Sequence, residues 1–559
     1  MSTPDAVPTA ELAAAVAAWT AQDPDAATRQ QAEELLAAAA AGDHDAHALL
    51  ADAFSGRLQF GTAGLRGALG AGPNRMNRVV VSQAAAGLAA YLRDSGAAGG
   101  RVLVGYDARH QSDVFARDTA EVLAAAGFET LLTAAATPTP VVAFGIRHLG
   151  CAAAVVVTAS HNPPQDNGYK VYLGDGSQIV PPADAEISDR IDEVARQDLS
   201  DIARSEAYAV VGEELLGAYV QRAAGLAPAG AARELSWVYT PMHGVGGALV
   251  ERIVAAAGFP APRVVRAQAE PDPDFPTVPF PNPEEPGAID LALDEARAAG
   301  ADLVVANDPD ADRCAVAAVV DGGWRMLTGD ELGALLGDDA LRRGVRGTYA
   351  CSVVSSSLLS RLAAASAQPF VTTLTGFKWI GRVPGLAFGY EEAIGYCVDP
   401  VAVPDKDGIT ALVRVLLLAA GLLAQGQTVA DRLDEIARVH GVHRTSQLSV
   451  RVSDPTVIAR AMARLRAEPP QTLAGQPVTV TDLTAGSAEL PATDAVVLAG
   501  ETVHVVVRPS GTEPKLKCYL EARRPPTPDV AGARSEADQV LVRLREEVSR
   551  ALGLDRDPS

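Results

Sequence analysis

Ser160 follows the apolar run AAAVVV (152–157) and Thr158-Ala159, and opens onto His161-Asn162-Pro163-Pro164. A buried strand that delivers a hydroxyl onto a loop, with two prolines to stop helix or ladder, suits a nucleophile, because open sheets bind ligands beyond the carboxyl ends of their strands. A Ser/Thr turn whose hydroxyl only caps backbone N–H groups is the ordinary alternative. His161 beside the serine and Lys170 ten residues on, in NGYKVYLGDG, tip the balance toward chemistry. The surroundings are not G-x-S-x-G, so no hydrolase elbow is indicated.

A second constellation follows the apolar run ADLVVAN (301–307): Asp308, Asp310 and Asp312, at i, i+2 and i+4. Three carboxylates in a strand-end loop can converge on one hard cation. An EF-hand is excluded, since the sixth position is Arg313 and the twelfth Val319. The competing reading, a surface loop, must keep the carboxylates solvated because burial would set them against one another.

Arg508-Pro509-Ser510-Gly511-Thr512-Glu513-Pro514 follows VHVVV. Small hydroxylated residues around a glycine turn backbone N–H groups toward an anion, and Arg508 adds a bidentate fork, which describes a phosphate cradle. A hairpin turn is its alternative. GTAGLRG (61–67) is similar in kind, with Arg66 among glycines. HGVGG (243–247) is not a dinucleotide loop, because Leu249 takes the third glycine position, and no lysine sits in a Walker A context.

Only five of the 47 Lys and Arg residues are lysine: Lys170, Lys378, Lys406, Lys515 and Lys517. Each lies in or beside a stretch punctuated by Gly, Pro, Asp or Thr. Lysine is a point charge whose pKa burial can lower, so it can move protons where arginine cannot. The five therefore sketch an anion-handling site, with a compositional bias as the plain alternative.

The elements that must position these groups are legible in outline. Residues 8–55 are Ala-rich with acidic punctuation and read as two or three surface helices. From 56 the pattern becomes strand, glycine loop, helix, repeated at RVLVGYDAR (101–109), LSWVYTPMHGVGG and GTYACSVVSS, which argues for three related α/β domains. VHVVVRPSGTEPKLKCYLEA alternates on both sides of its loop, as antiparallel strands do, and an amphipathic helix begins near 534. Stretches near 181–186, 270–287 and 523–529 read as linkers or loops. Boundaries fall near 210, 320 and 435.

A chain of 559 residues exceeds one core and fits three or four domains. A formal charge of −22 argues against nucleic acid and acidic membranes as partners, and leaves room for an anionic substrate only in a local basic pocket. Five scattered cysteines without a CxxC pair read as reduced thiols. The N-terminal stretch lacks a basic segment, and no run approaches the roughly 18 apolar residues of a membrane span. The expectation is a cytoplasmic enzyme.

Taken in order, GTAGLRG, TASHNPPQDNGYKVY, TPMHGVG, NDPDADR, TGFKWIG, GYEEAIGY, DKDG and RPSGTEPK closely resemble the α-D-phosphohexomutase superfamily over about residues 56–522. GTAGLRG, EEAIGY and NGYKVY look most like its phosphopentomutase and glucose-1,6-bisphosphate synthase branch. The resemblance implies an α/β fold of four domains around a central cleft, three of mixed α/β topology and a fourth with an antiparallel sheet. The expected layout is an N-terminal helical extension (1–55), domain I with the phosphoserine loop (56–210), domain II with the metal loop (211–320), domain III with the sugar loop (321–435) and domain IV with the phosphate loop (436–559).

It further implies that Ser160 is a phosphoserine and that Asp308, Asp310, Asp312 and a phosphoserine oxygen hold Mg²⁺. A hexose monophosphate would take the phosphoryl group, and the resulting glucose 1,6-bisphosphate, intermediate and activator, would turn around and return the other phosphate. Lys170 is the favoured base, through a pKa lowered by burial and neighbouring cations, with His161 as competitor; Arg66 stabilises the transfer. Arg313, Lys378, Arg382, Glu391 and Lys406 become substrate contacts, and Arg508, Ser510, Gly511 and Thr512 the grip on the non-reacting phosphate. Where the hexomutase pattern has Glu-x-Ser, this chain has Glu391-Glu392-Ala393, so the sugar stays open. Phosphoglucomutase stands first, phosphomannomutase next and phosphopentomutase third, with a bisphosphate synthase as a different enzyme class. A binding relative with dead chemistry is disfavoured, because the serine, the aspartates and the phosphate loop are all intact. A monomer is expected, with a dimer as the alternative.

Overall fold

The computed structural model describes residues 8–61, 64–452, 454, 456–488, 490–510 and 515–554. The chain gathers into two compact units, one formed by the chain up to Ala315 with Val401–Val413, the other by Val316–Pro400 with the chain from Arg414.

The first unit opens with three helices, Ala10–Gln22, Ala26–Ala40 and His44–Ala53, whose first turns are capped by the side chains of Thr9, Asp25 and Asp43. Their sparse apolar residues Val16, Trp19, Ala32 and Leu50 bury together against Ala71, Val79 and Leu199, so an Ala-rich segment is held by a narrow seam. A six-stranded sheet follows, in the spatial order Leu65–Ala68, Asp166–Leu173, Ala153–Val157, Arg101–Tyr106, Glu129–Thr133 and Ala209–Val211. The last four strands are parallel, while Asp166–Leu173 runs antiparallel to both its neighbours. Every residue of Ala153–Val157 is buried, as its unbroken apolar run requires of a strand covered on both faces. In the same unit Arg263–Val264, Trp237–Thr240 and Leu303–Ala306 form a second parallel set. The loops that end strands Ala153–Val157, Trp237–Thr240 and Leu303–Ala306 carry the TASHNPP, PMHGVG and DPDADR motifs.

Of the stretches read as linkers or loops, 270–287 is a loop and 181–186 runs into a helix. The helix Ala183–Val194 begins inside 181–186, and within 270–287 Phe275 and Val278 are buried. Proline and aspartate mark turns, but a turn packed by a neighbouring aromatic becomes part of the core.

In the second unit, Ala315–Val320 and Gly323–Met326 form a hairpin, followed by the helix Gly329–Arg342 with a Thr328/Glu331 capping box. A four-stranded sheet has the order Phe370–Thr373, Thr348–Ser352, Leu386–Glu391 and Gly395–Cys397, the last antiparallel. The C-terminal sheet is wholly antiparallel, in the order Val442–Arg451, Lys515–Arg524, Val503–Pro509, Val496–Ala499 and Thr479–Asp482. Helices Thr456–Ala467 and Val530–Leu552 share a core with it. A seam between the two sheets buries Val353, Val354, Val506 and Tyr519. Beside it the Glu521 carboxylate accepts from Ser356 Oγ (2.7 Å) and Ser357 N (2.9 Å) and faces His443 Nδ1 at 3.0 Å. Burial alone would raise Glu521, yet these partners hold it down at about 2. No described helix is long and apolar enough to cross a membrane.

One glycine fixes how closely two helices meet. A Cβ on Gly87, within Arg78–Asp94, would lie 2.5 Å from Ile191 Cγ1 and 2.8 Å from the Ile191 backbone of Ala183–Val194. Gly87→Ala gains up to about 1 kcal/mol of helix propensity but overpacks this crossing at a cost of roughly 1–3 kcal/mol. The expected outcome is a net lower urea midpoint with an unchanged m-value.

Candidate active site

Ser160 is 2% exposed and adopts φ +52°, a left-handed conformation uncommon for a residue with a side chain. Its N–H donates to Thr158 Oγ1 at 2.8 Å, which turns the chain sharply at the end of strand Ala153–Val157. Its Oγ donates to Asp308 Oδ2 at 2.8 Å and lies 3.2 Å from His161 Nδ1. The serine thus sits on the acidic loop that follows a strand of the second parallel set.

That loop is folded around its own aspartates. Asp308 Oδ1 accepts from Arg313 N at 3.0 Å, Ala311 N donates to Asp308 O, and Ala311 turns at φ +55°. Asn307 Nδ2 donates to Arg313 O at 2.6 Å, with Asn307 itself held by the Tyr239 hydroxyl. Asp308, Asp310 and Asp312 each offer a ligand oxygen within 4.8 Å of the others, and all three are buried. The solvated-surface reading of this cluster is therefore excluded by its burial.

Four cations border the cluster. Lys170 Nζ donates to Asp310 Oδ2 (2.7 Å) and Asp312 Oδ2 (2.8 Å). Lys406 Nζ lies 3.0 Å from Asp312 Oδ2, and Arg313 Nε lies 3.8 Å from Asp308 Oδ2 and 4.0 Å from Asp312 Oδ1. Arg66 Nη1 reaches Asn162 Oδ1 at 3.4 Å, across the ladder that pairs Arg66 with Gly168. Thr139 opens helix Thr139–Leu149 and donates its hydroxyl to Asp310 Oδ2 (2.6 Å) and its N–H to Asp310 O, so a helix N-terminus also faces the carboxylates.

Burial raises all three carboxyl groups, and their mutual repulsion adds to it. At Asp310 and Asp312 the lysine contacts outweigh both effects and bring the pKa below the usual range. Asp308 has no such partner and is pushed up to about 8. Asp310 Oδ1 and Asp312 Oδ1 are buried without a hydrogen bond. Three carboxylates with converging oxygens, and two buried oxygens among them without a partner, fit a divalent cation such as Mg²⁺.

Lys170 departs from its expected electrostatics. Burial would lower its pKa, as the sequence reading anticipated, but the Asp310 and Asp312 carboxylates overturn that and raise it. Its nearest charges are anions because strand pairing sets Lys170 opposite Val156, directly beside the acidic loop. His161 shifts the other way: burial, Arg313, Arg66 and Lys406 drive it well below its ordinary value, so its ring is neutral.

The second unit arranges its own candidates. Glu391, 6% exposed, ends strand Leu386–Glu391, and Ile394 at φ +53° turns the chain back. Glu392 accepts from Ser352 Oγ at 3.1 Å. Lys378 lies on the short helix Phe377–Ile380, and its carbonyl accepts from Arg382 Nη1 at 2.8 Å. Burial, with the Glu392 and Glu391 carboxylates, raises the Tyr519 hydroxyl against the opposing influence of Arg508. Ser510 N donates to Lys515 O at 2.8 Å; Gly511 and Thr512 lie outside the described residues. Thr139 and Arg109, which binds carbonyls of the Ser160 loop, have no place in the sequence reading, although TPTP and the YDAR strand end mark where they lie.

Family models for phosphoglucomutase/phosphomannomutase match in order: α/β/α domain I over residues 57–198, domain II over 218–320, domain III over 328–439 and the C-terminal domain over 449–530. A Haemophilus influenzae protein named a probable phosphomannomutase is 46% identical, over 86% of this chain and 98% of its own. A Schizosaccharomyces pombe protein named a probable phosphoribomutase is 36% identical, over 94% of this chain and 96% of its own. Human phosphopentomutase is 33% identical, over 97% and 95%. The crystal structure of a phosphoglucomutase/phosphomannomutase family protein from Burkholderia thailandensis shares the fold, with a TM-score of 0.68 at 20% identity, covering 88% of this chain and 97% of that one.

Asp308 sets a pH dependence with a definite sign. Its folded pKa is raised above the ordinary 3.8, so the stability it contributes is complete at low pH and is lost as pH rises from about 4 through about 8. A divalent cation relieves this by binding the ionised form. Millimolar Mg²⁺ is expected to raise Tm more at about pH 8 than at about pH 6, and Asp308→Asn to remove most of that difference in a calorimetric titration.

Proposed function

The chain belongs to the phosphoglucomutase/phosphomannomutase family, whose members are phosphosugar mutases and hence isomerases, and from that premise we propose that it moves a phosphoryl group between two hydroxyls of one sugar by way of Ser160. One observation carries this reading: the Ser160 hydroxyl lies 2.8 Å from a buried carboxylate of a triad suited to a divalent cation. Asp308, Asp310, Asp312 and a phosphoserine oxygen would hold Mg²⁺, which supplies stabilisation of charge on the transferring oxygens.

In the proposed cycle, phospho-Ser160 meets a free hydroxyl of the sugar monophosphate. The Oγ–P bond breaks as the new P–O bond forms; the sugar hydroxyl gives its proton to a base, and the departing Ser160 Oγ takes one up. The bisphosphate (glucose 1,6-bisphosphate for a glucose substrate) turns around, and Ser160 Oγ takes the other phosphoryl group, giving up its own proton as the sugar O–P bond breaks and the sugar oxygen regains a proton. His161, neutral and 3.2 Å from Oγ, lies within reach of that proton. Lys170, held protonated, serves to order the carboxylates and to offset charge, and Arg66 with Arg313 adds cationic field at the transferring group. Lys406 joins Lys170 at Asp312. By motif position, Lys378, Arg382 and Glu391 would recognise the sugar phosphate, and Arg508, Ser510, Gly511 and Thr512 its non-reacting phosphate. The five cysteines are buried thiols, none of them in a disulfide, in keeping with a reducing cytoplasm.

For the sugar, glucose heads the motif-based order, and the names of the relatives above bring mannose and pentose forward. Glu391-Glu392-Ala393 retains carboxylates for ring hydroxyls without a serine contact. We propose a site that accepts pentose as well as hexose phosphates. In a kcat/KM panel of glucose, mannose, glucosamine and ribose 1-phosphates, ribose is expected within about tenfold of the best hexose or ahead of it; a deficit of about a thousandfold would reject the pentose reading.

Ser160→Ala is expected to lose the phosphate label and nearly all turnover. Lys170→Arg keeps the charge and is expected to retain more activity than His161→Ala, which should lose about 10²–10⁴-fold. The reverse ranking, in steady-state rates over a pH series, returns the base role to Lys170.

A further inference from the structure

We propose that Arg109 and Phe275 form a clamp that fixes the register of the phosphoserine loop against the acidic loop, which makes both of them positioning residues for phosphoryl transfer; the proposal rests on the assignment of Ser160 as phosphoryl carrier. Neither residue touches the reacting atoms.

Arg109 is 3% exposed, and its guanidinium is spent on the backbone of one loop. Nη2 donates to Ser160 O (2.7 Å) and Asn162 O (2.5 Å), and Nη1 to Pro163 O (2.8 Å) and Asp166 O (3.1 Å). Two prolines and a left-handed serine leave this segment with few ladder bonds of its own, so one planar fork supplies much of its order. Asp107 aims the fork: its Oδ2 lies 3.4 Å from Arg109 Nε, and its Oδ1 accepts from Arg109 N (3.0 Å) and Ser112 Oγ (2.7 Å). Lysine cannot reproduce a rigid, planar five-donor group.

The open face of the guanidinium is covered by Phe275, whose ring centroid lies 4.9 Å from Arg109 Cζ. Phe275 is 2% exposed, with φ +45°, and comes from the PDPDFPTV stretch. That stretch is anchored to the acidic loop. Phe275 N donates to Asp272 O, Asp272 N to His243 O, and Val245 N to Pro309 O at 2.8 Å. Gly244 lies so close that a Cβ there would stand 2.4 Å from Pro309 Cα. A continuous path of packed or bonded groups therefore runs from the carbonyl of Ser160 through Arg109, Phe275 and His243 to Pro309, between Asp308 and Asp310. The same two loops meet directly at Ser160 Oγ and Asp308 Oδ2. The path closes a ring around the reacting hydroxyl, so neither loop can slide without breaking it. Displacements near 1 Å cost on the order of a hundredfold in positioned reactions.

The test compares Phe275→Leu, which keeps apolar bulk and loses the aromatic face, and Arg109→Lys with wild type. Ile253→Val is a core control in the same unit that lowers Tm without touching the clamp. Expected for the clamp variants is a kcat lower by about tenfold (Phe275→Leu) and about a hundredfold (Arg109→Lys), with KM within about threefold. Without Mg²⁺, amide exchange should quicken in peptides spanning 158–168 and 240–246 in both clamp variants and stay unchanged in Ile253→Val. A wild-type kcat in Phe275→Leu, or losses no greater than those of Ile253→Val at equal loss of Tm, would overturn the clamp. Labelling with ³²P glucose 1,6-bisphosphate separates the two readings. Wild type without label on Ser160 removes the phosphoserine assignment and the clamp's role with it, whereas normal labelling with unaltered transfer in the variants rejects the clamp alone.

Discussion

Three carboxylates buried within 4.8 Å of one another are the constraint around which the first unit is arranged. Each like-charged pair at that separation costs on the order of 3 kcal/mol at an effective dielectric near 20. Such a cluster persists only where cations and donors are brought to it. Lys170 comes from the sheet of the Ser160 strand, Thr139 from a helix N-terminus, Lys406 from the segment before Gly408, and Arg313 from the acidic loop itself. The strand register that places Lys170 opposite Val156 also sets Ser160 just beyond the end of the Val156 strand, in the loop that follows it. One pairing thus delivers both the serine and its counter-charge. A protein with a formal charge of −22 in this way concentrates positive charge where an anionic substrate would need it.

Much of this was legible in the chain because its signals are local. An unbroken apolar run ending in a hydroxyl, aspartates at alternate positions and a glycine-centred loop after alternating valines each state their element and end within ten residues. The four-domain α/β architecture with a last antiparallel sheet followed from the same grammar. Of the five lysines, Lys170 and Lys406 meet the acidic cluster, and the electrostatics of Lys170 were not legible in the count. Whether a buried lysine is lowered or raised depends on which charges lie across the sheet, and those are 140 residues away in sequence. Arg109 and Phe275 were illegible for a related reason: Arg109 was one of many arginines, and Phe275 lay in a Pro/Asp-rich stretch that reads as a linker or loop. Long-range packing, rather than composition, made that stretch part of the core.

The second unit depends on a different device. Its two sheets meet over a small apolar seam, with the Glu521 carboxylate beside it accepting from serines of the loop after strand Thr348–Ser352. A buried charge satisfied by hydroxyls and a histidine is directional where an apolar patch is not, so it specifies one docking geometry between sheets of unlike topology. Arg508 and Glu391, which belong to the two different sheets, both act on Tyr519 of this seam.

The left-handed backbone of Ser160 has a consequence for which residues can ever occupy the position. Threonine offers the same hydroxyl, yet its branched Cβ is a steric outlier at φ +52°. Cysteine and aspartate lack the branch at Cβ but offer no hydroxyl. The nearest chemical substitute is therefore closed to mutation by conformation, while the conformationally open substitutes are closed by reactivity. Among hydroxyl-bearing side chains of this size, drift at this site has nowhere to go.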